Sequence, residues 1–250
     1  RLNGFGSAGS RSLFTGGSSV RVAAQRTVDK GKELAADALE APVADIEYRE
    51  GRFTVAGTDL GIELGALAGR QPGGHLFVDS TSSVGGPTWP NGCHICEVEV
   101  DAATGAIEIV AYASVNDIGR IVSPVIVRGQ IEGGAVQGIG QALGERVVYD
   151  ADSAQLLSAS FMDYALPRVD GFRGFRTAFD ESIPCQTNAL GAKGVGELGT
   201  IGATPAVVNA VIDALDHAGL GRDAERVQMP LTAETVWRAL RRDFGPAIEV

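Results

Sequence analysis

Apolar residues recur at helical spacing from Val20 to about Glu40, at Val20, Ala23, Ala24, Val28, Leu34, Ala35, Ala38 and Leu39. This predicts an amphipathic helix with Ser18 or Ser19 as its N-cap. The pattern then shortens to alternation. Ile46–Val55 carries Glu50-Gly51 between two strand-like runs, a hairpin signal, and Ile95–Val100 with Ile107–Val115 makes a second hairpin around Asp101-Ala-Ala-Thr-Gly105. Ile62–Leu67 predicts a short helix and His75–Ser82 a strand. The stretches 156–166 and 172–179 read as extended or irregular.

Helical spacing returns from Pro124 to about Leu143, through Ile131, Ala135, Val136 and Ile139. Gly129, Gly133, Gly134 and Gly138 there lower helix propensity, which implies close packing or a closely approaching ligand. A helix is expected over Pro205–Ala218 with Thr200 or Thr204 as cap. Another is expected over Ala233–Phe244, capped by Thr232 and stopped by Pro246. Hairpins mixed with helices favour an α+β fold over a strictly alternating parallel sheet.

The densest chemistry lies in Ala189-Leu-Gly-Ala-Lys-Gly-Val-Gly-Glu-Leu-Gly-Thr-Ile-Gly202, where glycines surround one acid, Glu197. Glycine lets backbone lie close to a ligand, and free N–H groups at a helix start attract anions. The loop suggests a catalytic acid or base beside a phosphate-bearing cofactor. Gly4-Phe-Gly6-Ser-Ala-Gly9 and Gly194-Val-Gly196-Glu-Leu-Gly199 both satisfy G-x-G-x-x-G. Neither has the preceding buried strand, nor an acid at a second strand end, that a dinucleotide site needs. Cys93-His-Ile-Cys96 lacks a second ligand pair for zinc, and on a strand its two thiols point to opposite faces. Gly16, Gly17, Ser18 and Ser19 at a helix start could hold a phosphate or a ring edge, and Gln130 could offer its amide to a heterocycle. An ordinary capped helix and a surface glutamine would look the same.

Composition narrows the classes. The 250 residues are 44% hydrophobic with net charge −10, which argues against a general nucleic-acid or anionic-membrane partner. Glycine supplies 34 residues, about twice the usual share of roughly 7%, without a collagen-like period. No uninterrupted apolar run reaches the roughly 20 residues of a membrane span. Three cysteines do not make a disulfide scaffold, so a cytoplasmic setting is expected. The chain starts at Arg1 without Met and is read as a C-terminal portion of something larger.

The order of several stretches resembles the large, molybdenum-containing subunit of the molybdenum hydroxylases: xanthine dehydrogenases, aldehyde oxidases and aerobic carbon monoxide dehydrogenases. The stretches are Gly9-Ser-Arg-Ser12 with Thr15-Gly-Gly-Ser-Ser19, Glu97-Val-Glu-Val-Asp101 with Thr104-Gly105, and Asn116-Asp-Ile-Gly119 with Ser123-Pro124. Gly129-Gln-Ile-Glu-Gly133, Gln137-Gly-Ile-Gly140 and Ala192-Lys-Gly-Val-Gly-Glu197 complete the series. The resemblance spans nearly the whole chain. It implies the molybdopterin-binding α+β fold of that family over residues 1–250, with any boundary between two intertwined subdomains unreadable. It implies that Glu197 is the base beside molybdenum. Gly16, Gly17, Ser18, Ser19 and Gln130 would contact the pterin and its phosphate-bearing tail, and the backbone of Lys193, Gly194, Val195 and Gly196 would lie along the same cofactor. No residue of this chain would ligate the metal. The implied cofactor is molybdenum-molybdopterin in its cytosine dinucleotide form. The implied partners are the N-terminal part of the same subunit, iron–sulfur and FAD-carrying subunits, and a small-molecule substrate. Two rivals remain: an NAD- or FAD-binding dehydrogenase domain built on Gly194-x-Gly196, and a non-catalytic fragment or assembly module.

Overall fold

Arg49-Glu50-Gly51-Arg52 shows how local sequence sets local structure. Both central residues have positive φ, +50° at Glu50 and +88° at Gly51, the two-residue turn whose twist suits a hairpin. It joins strands β1 (Ile46–Arg49) and β2 (Arg52–Val55), and β3 (Gly61–Glu63) pairs antiparallel with β2. The structure, a computed structural model, describes residues 6–244. Gly4 of the first glycine run and the expected stop at Pro246 therefore lie outside the described residues.

The chain divides into two compact bodies. The smaller comprises residues 11–87 and 186–191. Its long helix α1 (Ser18–Leu39) packs Ala35 and Ala36 onto the three-stranded sheet, where Ile46, Phe53, Ile62 and Leu67 are buried. Phe53 fits because residue 31 is glycine: a Cβ there would lie 2.3 Å from the ring. The short helix α2 (Leu64–Gly69) follows β3 directly, so Ile62 is a strand residue and not the helix start. His75–Ser82 forms no strand. Its alternation has no neighbouring strand to pair with in the sheet order β1-β2-β3.

The larger body comprises residues 6–10, Thr88–Cys185 and 192–244. Strands β4 (Asn91–Val100) and β5 (Ile107–Asp117) form the second hairpin, each longer than expected. Strand β6 (Arg176–Asp180) runs parallel beside β5. The Asp101 carboxylate accepts hydrogen bonds from Ala103 N–H and Thr104 Oγ1, both at 2.8 Å, which closes the turn. Two helices, α3 (Pro124–Leu143) and α4 (Leu198–Leu215), pack on one another, and α4 also packs on β4. Buried Ile109, Tyr112, Ala135, Ile139, Ala203 and Val207 fill the space between them. The last helix, α5 (Ala233–Leu240), is capped as expected, Thr235 N–H donating to Thr232 Oγ1 at 3.2 Å. It ends short of Phe244.

Helix α4 differs most from the sequence expectation. It starts at Leu198, and Pro205 lies inside it. Thr200 and Thr204 cap nothing; their hydroxyls donate across to the carbonyls of Gly134 and Gly138 on α3, at 3.0 and 3.2 Å. A cap is a local pattern, whereas these bonds span 66 residues of sequence. With the turns that follow, Leu198–Arg226 is long and apolar enough to cross a membrane by length and composition, although glycines and acids had broken it in the run-length reading. Its apolar positions Ala203, Val207, Val211 and Leu215 are buried in the core of this body.

Candidate functional site

Glycines on α3 and α4 determine where Glu197 stands. A Cβ on Gly199 would lie 2.3 Å from the Ile131 carbonyl oxygen, and one on Gly138 would lie 2.8 Å from the Thr200 carbonyl oxygen. The two helices can approach this closely because those side chains are missing. Gly129 and Gly133, on the same helix, would meet nothing within 4 Å. Of the α3 glycines, Gly134 and Gly138 serve packing on α4, whereas Gly129 and Gly133 leave open backbone next to the exposed Gln130.

Glu197 is the residue immediately before α4. Its carboxylate accepts a hydrogen bond from Ser10 Oγ through Oε2 at 2.8 Å. Ser10 has φ +55°, the left-handed region that a serine adopts at a steric cost. The glycines of the loop fit around it. A Cβ on Gly194 would lie 2.8 Å from both Ser10 Cβ and its carbonyl oxygen; one on Gly196 would lie 3.0 Å from Ser10 Oγ and 3.6 Å from Gln130 Nε2. Ser10, Gly194, Gly196, Gln130 and Glu197 thus meet at one place in the larger body.

The other predicted loop residues face inward. Val195 packs its side chain against the cluster of Ile118, Val127, Ile131 and Leu198. Lys193 turns its ammonium to Asp117 Oδ2 at 2.5 Å, its side chain 9% exposed. The roles foreseen for these two concerned their backbone, which runs along the same loop. No parallel strand precedes the loop; residue 192 makes an isolated bridge with Gly119. The strand–turn–helix of a dinucleotide site is therefore absent here.

The Gly16–Ser19 segment belongs to the smaller body. Neither Ser18 nor Ser19 is an N-cap. A wide helical turn over Ser12–Gly17 runs straight into α1, Ser18 N–H bonds to Thr15 O, and Ser19 Oγ donates to Thr15 O at 3.2 Å. Ser18 is 1% exposed, and its hydroxyl is a buried side-chain polar atom without a hydrogen-bond partner. Such an atom costs stability unless something arrives to bond it.

The Cys93–Cys96 motif lies on β4. Cys93 is exposed, while Cys96 faces inward, where burial pushes its thiol up to about 11. Between them His94 is held by Tyr112 Oη at 2.7 Å and Asn116 Oδ1 at 3.3 Å. Burial lowers the His94 pKa against the opposing hydrogen bond to Asn116. Among the described residues, no group of three or more His, Cys, Asp or Glu side chains could hold a metal ion.

Residues 2–172 match the model of the molybdopterin cofactor-binding domain family. The chain belongs to this family. Among its relatives, subunit gamma of the 6-hydroxypseudooxynicotine dehydrogenase complex of Paenarthrobacter nicotinovorans is 35% identical over 94% of this chain and 30% of its own length. The carbon monoxide dehydrogenase large chain of Hydrogenophaga pseudoflava is 32% identical over 95% and 30%. Among solved structures, quinoline 2-oxidoreductase from Pseudomonas putida 86 superimposes with TM-score 0.80 at 35% identity, over 95% of this chain and 31% of that one. The chain thus spans about a third of the length of the proteins it matches. It is a molybdopterin-binding region of the molybdenum hydroxylase family with the α+β fold of that family. Residues 2–172 carry the family match, so the Glu197 loop lies beyond it, within the span of the full-length relatives.

Sequence reasoning passed over the roles of Ser10, Thr88 and Asp117. Ser10 and Asp117 stood within quoted motif stretches, yet their partners Glu197 and Lys193 lie 187 and 76 residues away. No local pattern marks such a pairing.

Proposed function

We propose that this chain is the C-terminal molybdopterin-binding region of a molybdenum hydroxylase large subunit, and that Glu197 is the general base of its reaction. The observation that carries the reading is the Glu197 carboxylate, held by Ser10 at a glycine-lined loop, in a chain of the molybdopterin cofactor-binding family. The residues fit the cofactor: Gly129 and Gly133 leave open backbone beside the exposed Gln130, whose amide is offered there, and the Ser18 hydroxyl lacks a hydrogen-bond partner that a polar ring edge or phosphate would supply.

When bound, the molybdopterin centre supplies water-derived oxygen and accepts the substrate's electrons. Glu197 takes the proton of the attacking oxygen, a role that needs reach and a free lone pair. Ser10 occupies Oε2 and leaves Oε1 for that proton. Gln130 and the backbone of Lys193 to Gly196 orient the pterin, and Gly16 to Ser19 take its phosphate-bearing tail, in the cytosine dinucleotide form. The substrate is a small molecule oxidised at carbon. Relatives named as complex subunits and large chains support separate iron–sulfur and flavin subunits as partners.

The reaction class is tested over many turnovers of the complete enzyme in water enriched in heavy oxygen, with a parallel run under labelled dioxygen. The product should carry the label. Product labelled from dioxygen instead overturns the assignment.

A further inference from the structure

Asp117 ends β5 and faces the Glu197 loop with both carboxylate oxygens engaged. Oδ1 accepts from Gly119 N–H at 3.0 Å, and Oδ2 accepts from Lys193 Nζ at 2.5 Å. Gly119 has φ +61°, which lets the chain turn back so that its amide reaches that carboxylate. The same turn supplies a backbone bond: Lys193 N–H donates to Ile118 O at 2.8 Å, one residue from the bridge of Gly119 with residue 192. Gly194 N–H is taken by Thr88 Oγ1 at 3.0 Å. The side chains of Lys193 and Asp117 are 9% and 20% exposed, so the pair is shielded and breaking one half strands a charge. Burial pushes the Asp117 carboxyl up, but Lys193 and the Gly119 amide outweigh it and hold it below the ordinary carboxylate range. Asp180 is the neighbouring acid across the β5–β6 pair, and the Asn91 side chain also faces the carboxylate.

We infer that Asp117 and Lys193 are positioning residues for Glu197: their ion pair clasps the glycine-rich loop to the end of β5 and fixes where the Glu197 carboxylate stands. The loop needs such a clasp. Its glycines allow close approach at Gly194 and Gly196 but leave the backbone conformationally free. Three residues separate Lys193 from Glu197, and Val195 among them is anchored by packing against the cluster of Ile118, Val127, Ile131 and Leu198. The Lys193 ammonium is thereby committed to Asp117 and contributes to the site through geometry. The inference rests on the base role proposed for Glu197.

The test uses the complete enzyme with Asp117→Asn and with the double variant Asp117→Asn/Lys193→Met, which strands no buried charge and should fold if the first does not. Amide hydrogen exchange at Lys193 and Gly194 should rise about 10-fold or more in both, with β4–β5 amides unchanged. Turnover per bound molybdenum should fall about 10- to 100-fold, with KM within about two-fold, as a small misplacement of a reacting group produces. In a Glu197→Gln background the same changes should cause no further loss, because the clasp acts through Glu197. Native exchange at Lys193 and Gly194 in a folded variant overturns the clasp. A loss that multiplies with that of Glu197→Gln overturns its action through Glu197. If Glu197→Gln alone keeps full turnover, the base assignment fails, and the exchange data still decide the clasp.

Discussion

Two glycine-rich segments, the Glu197 loop and the turn at Gly16–Ser19, look alike in sequence and differ in structure. In the loop nearly every polar group has a partner: Ser10 on Glu197, Asp117 on Lys193, Thr88 on Gly194, Thr200 and Thr204 on the α3 carbonyls. Its glycines are consumed by close contacts. At the turn Gly17 is packed, a Cβ there lying 2.8 Å from Leu190 Cδ1, but Gly16 meets nothing within 4 Å and Ser18 buries a hydroxyl with no partner. The first segment is finished by the protein itself. The second keeps a hydrogen bond in reserve, which on the proposed reading the cofactor supplies. Glycine content alone does not separate a packed cradle from an open one.

The largest stability effect should come from the packed segment. Gly199→Ala forces a methyl against the Ile131 carbonyl, and overpacking of this kind costs about 1–3 kcal/mol. Gly133→Ala, facing open space on α3, should instead stabilise by up to about 1 kcal/mol through helix propensity. Urea denaturation of both variants checks the pair; equal effects would erase the distinction between packing and open glycines.

At the turn, Ser18→Ala should raise the stability of the cofactor-free protein by about 1 kcal/mol, since an orphaned buried hydroxyl is removed. In the complete enzyme it should weaken cofactor retention, read by the molybdenum content after dialysis. Destabilisation of the cofactor-free form would mean that the hydroxyl is bonded after all.

The smallest effect concerns pH. His94 has a pKa lowered by burial, so the unfolded chain binds its proton more readily than the folded one. The His94 contribution to stability is therefore constant above about pH 6.5 and falls as pH drops through that value toward the folded pKa. His94→Gln should flatten this slope in a series of unfolding curves between pH 7 and 5.

Much of the fold could be read from the chain because its signals are local. Glu50-Gly51 specifies its own turn, Thr232 its own cap, and the helical spacing before Leu143 its own helix. Misread elements had signals settled elsewhere. Thr200 and Thr204 carry a capping pattern but bond to α3, and the alternation of His75–Ser82 found no neighbouring strand. At the candidate site, Glu197 stood out as a lone acid among glycines, whereas Ser10 and Asp117 did not, since their work depends on residues far along the chain. The Cys93–Cys96 spacing was legible for a simple reason: on a strand an odd separation places two side chains on opposite faces.

The central claim is that Glu197 acts on the proton and does not hold the cofactor. Turnover per bound molybdenum in the Glu197→Gln complete enzyme measures this most directly. A general base contributes about 10²- to 10⁴-fold, so turnover should fall by that factor while molybdenum and pterin content stay at the parent level. Parent-like turnover, or a loss that merely follows lost molybdenum, would contradict the account.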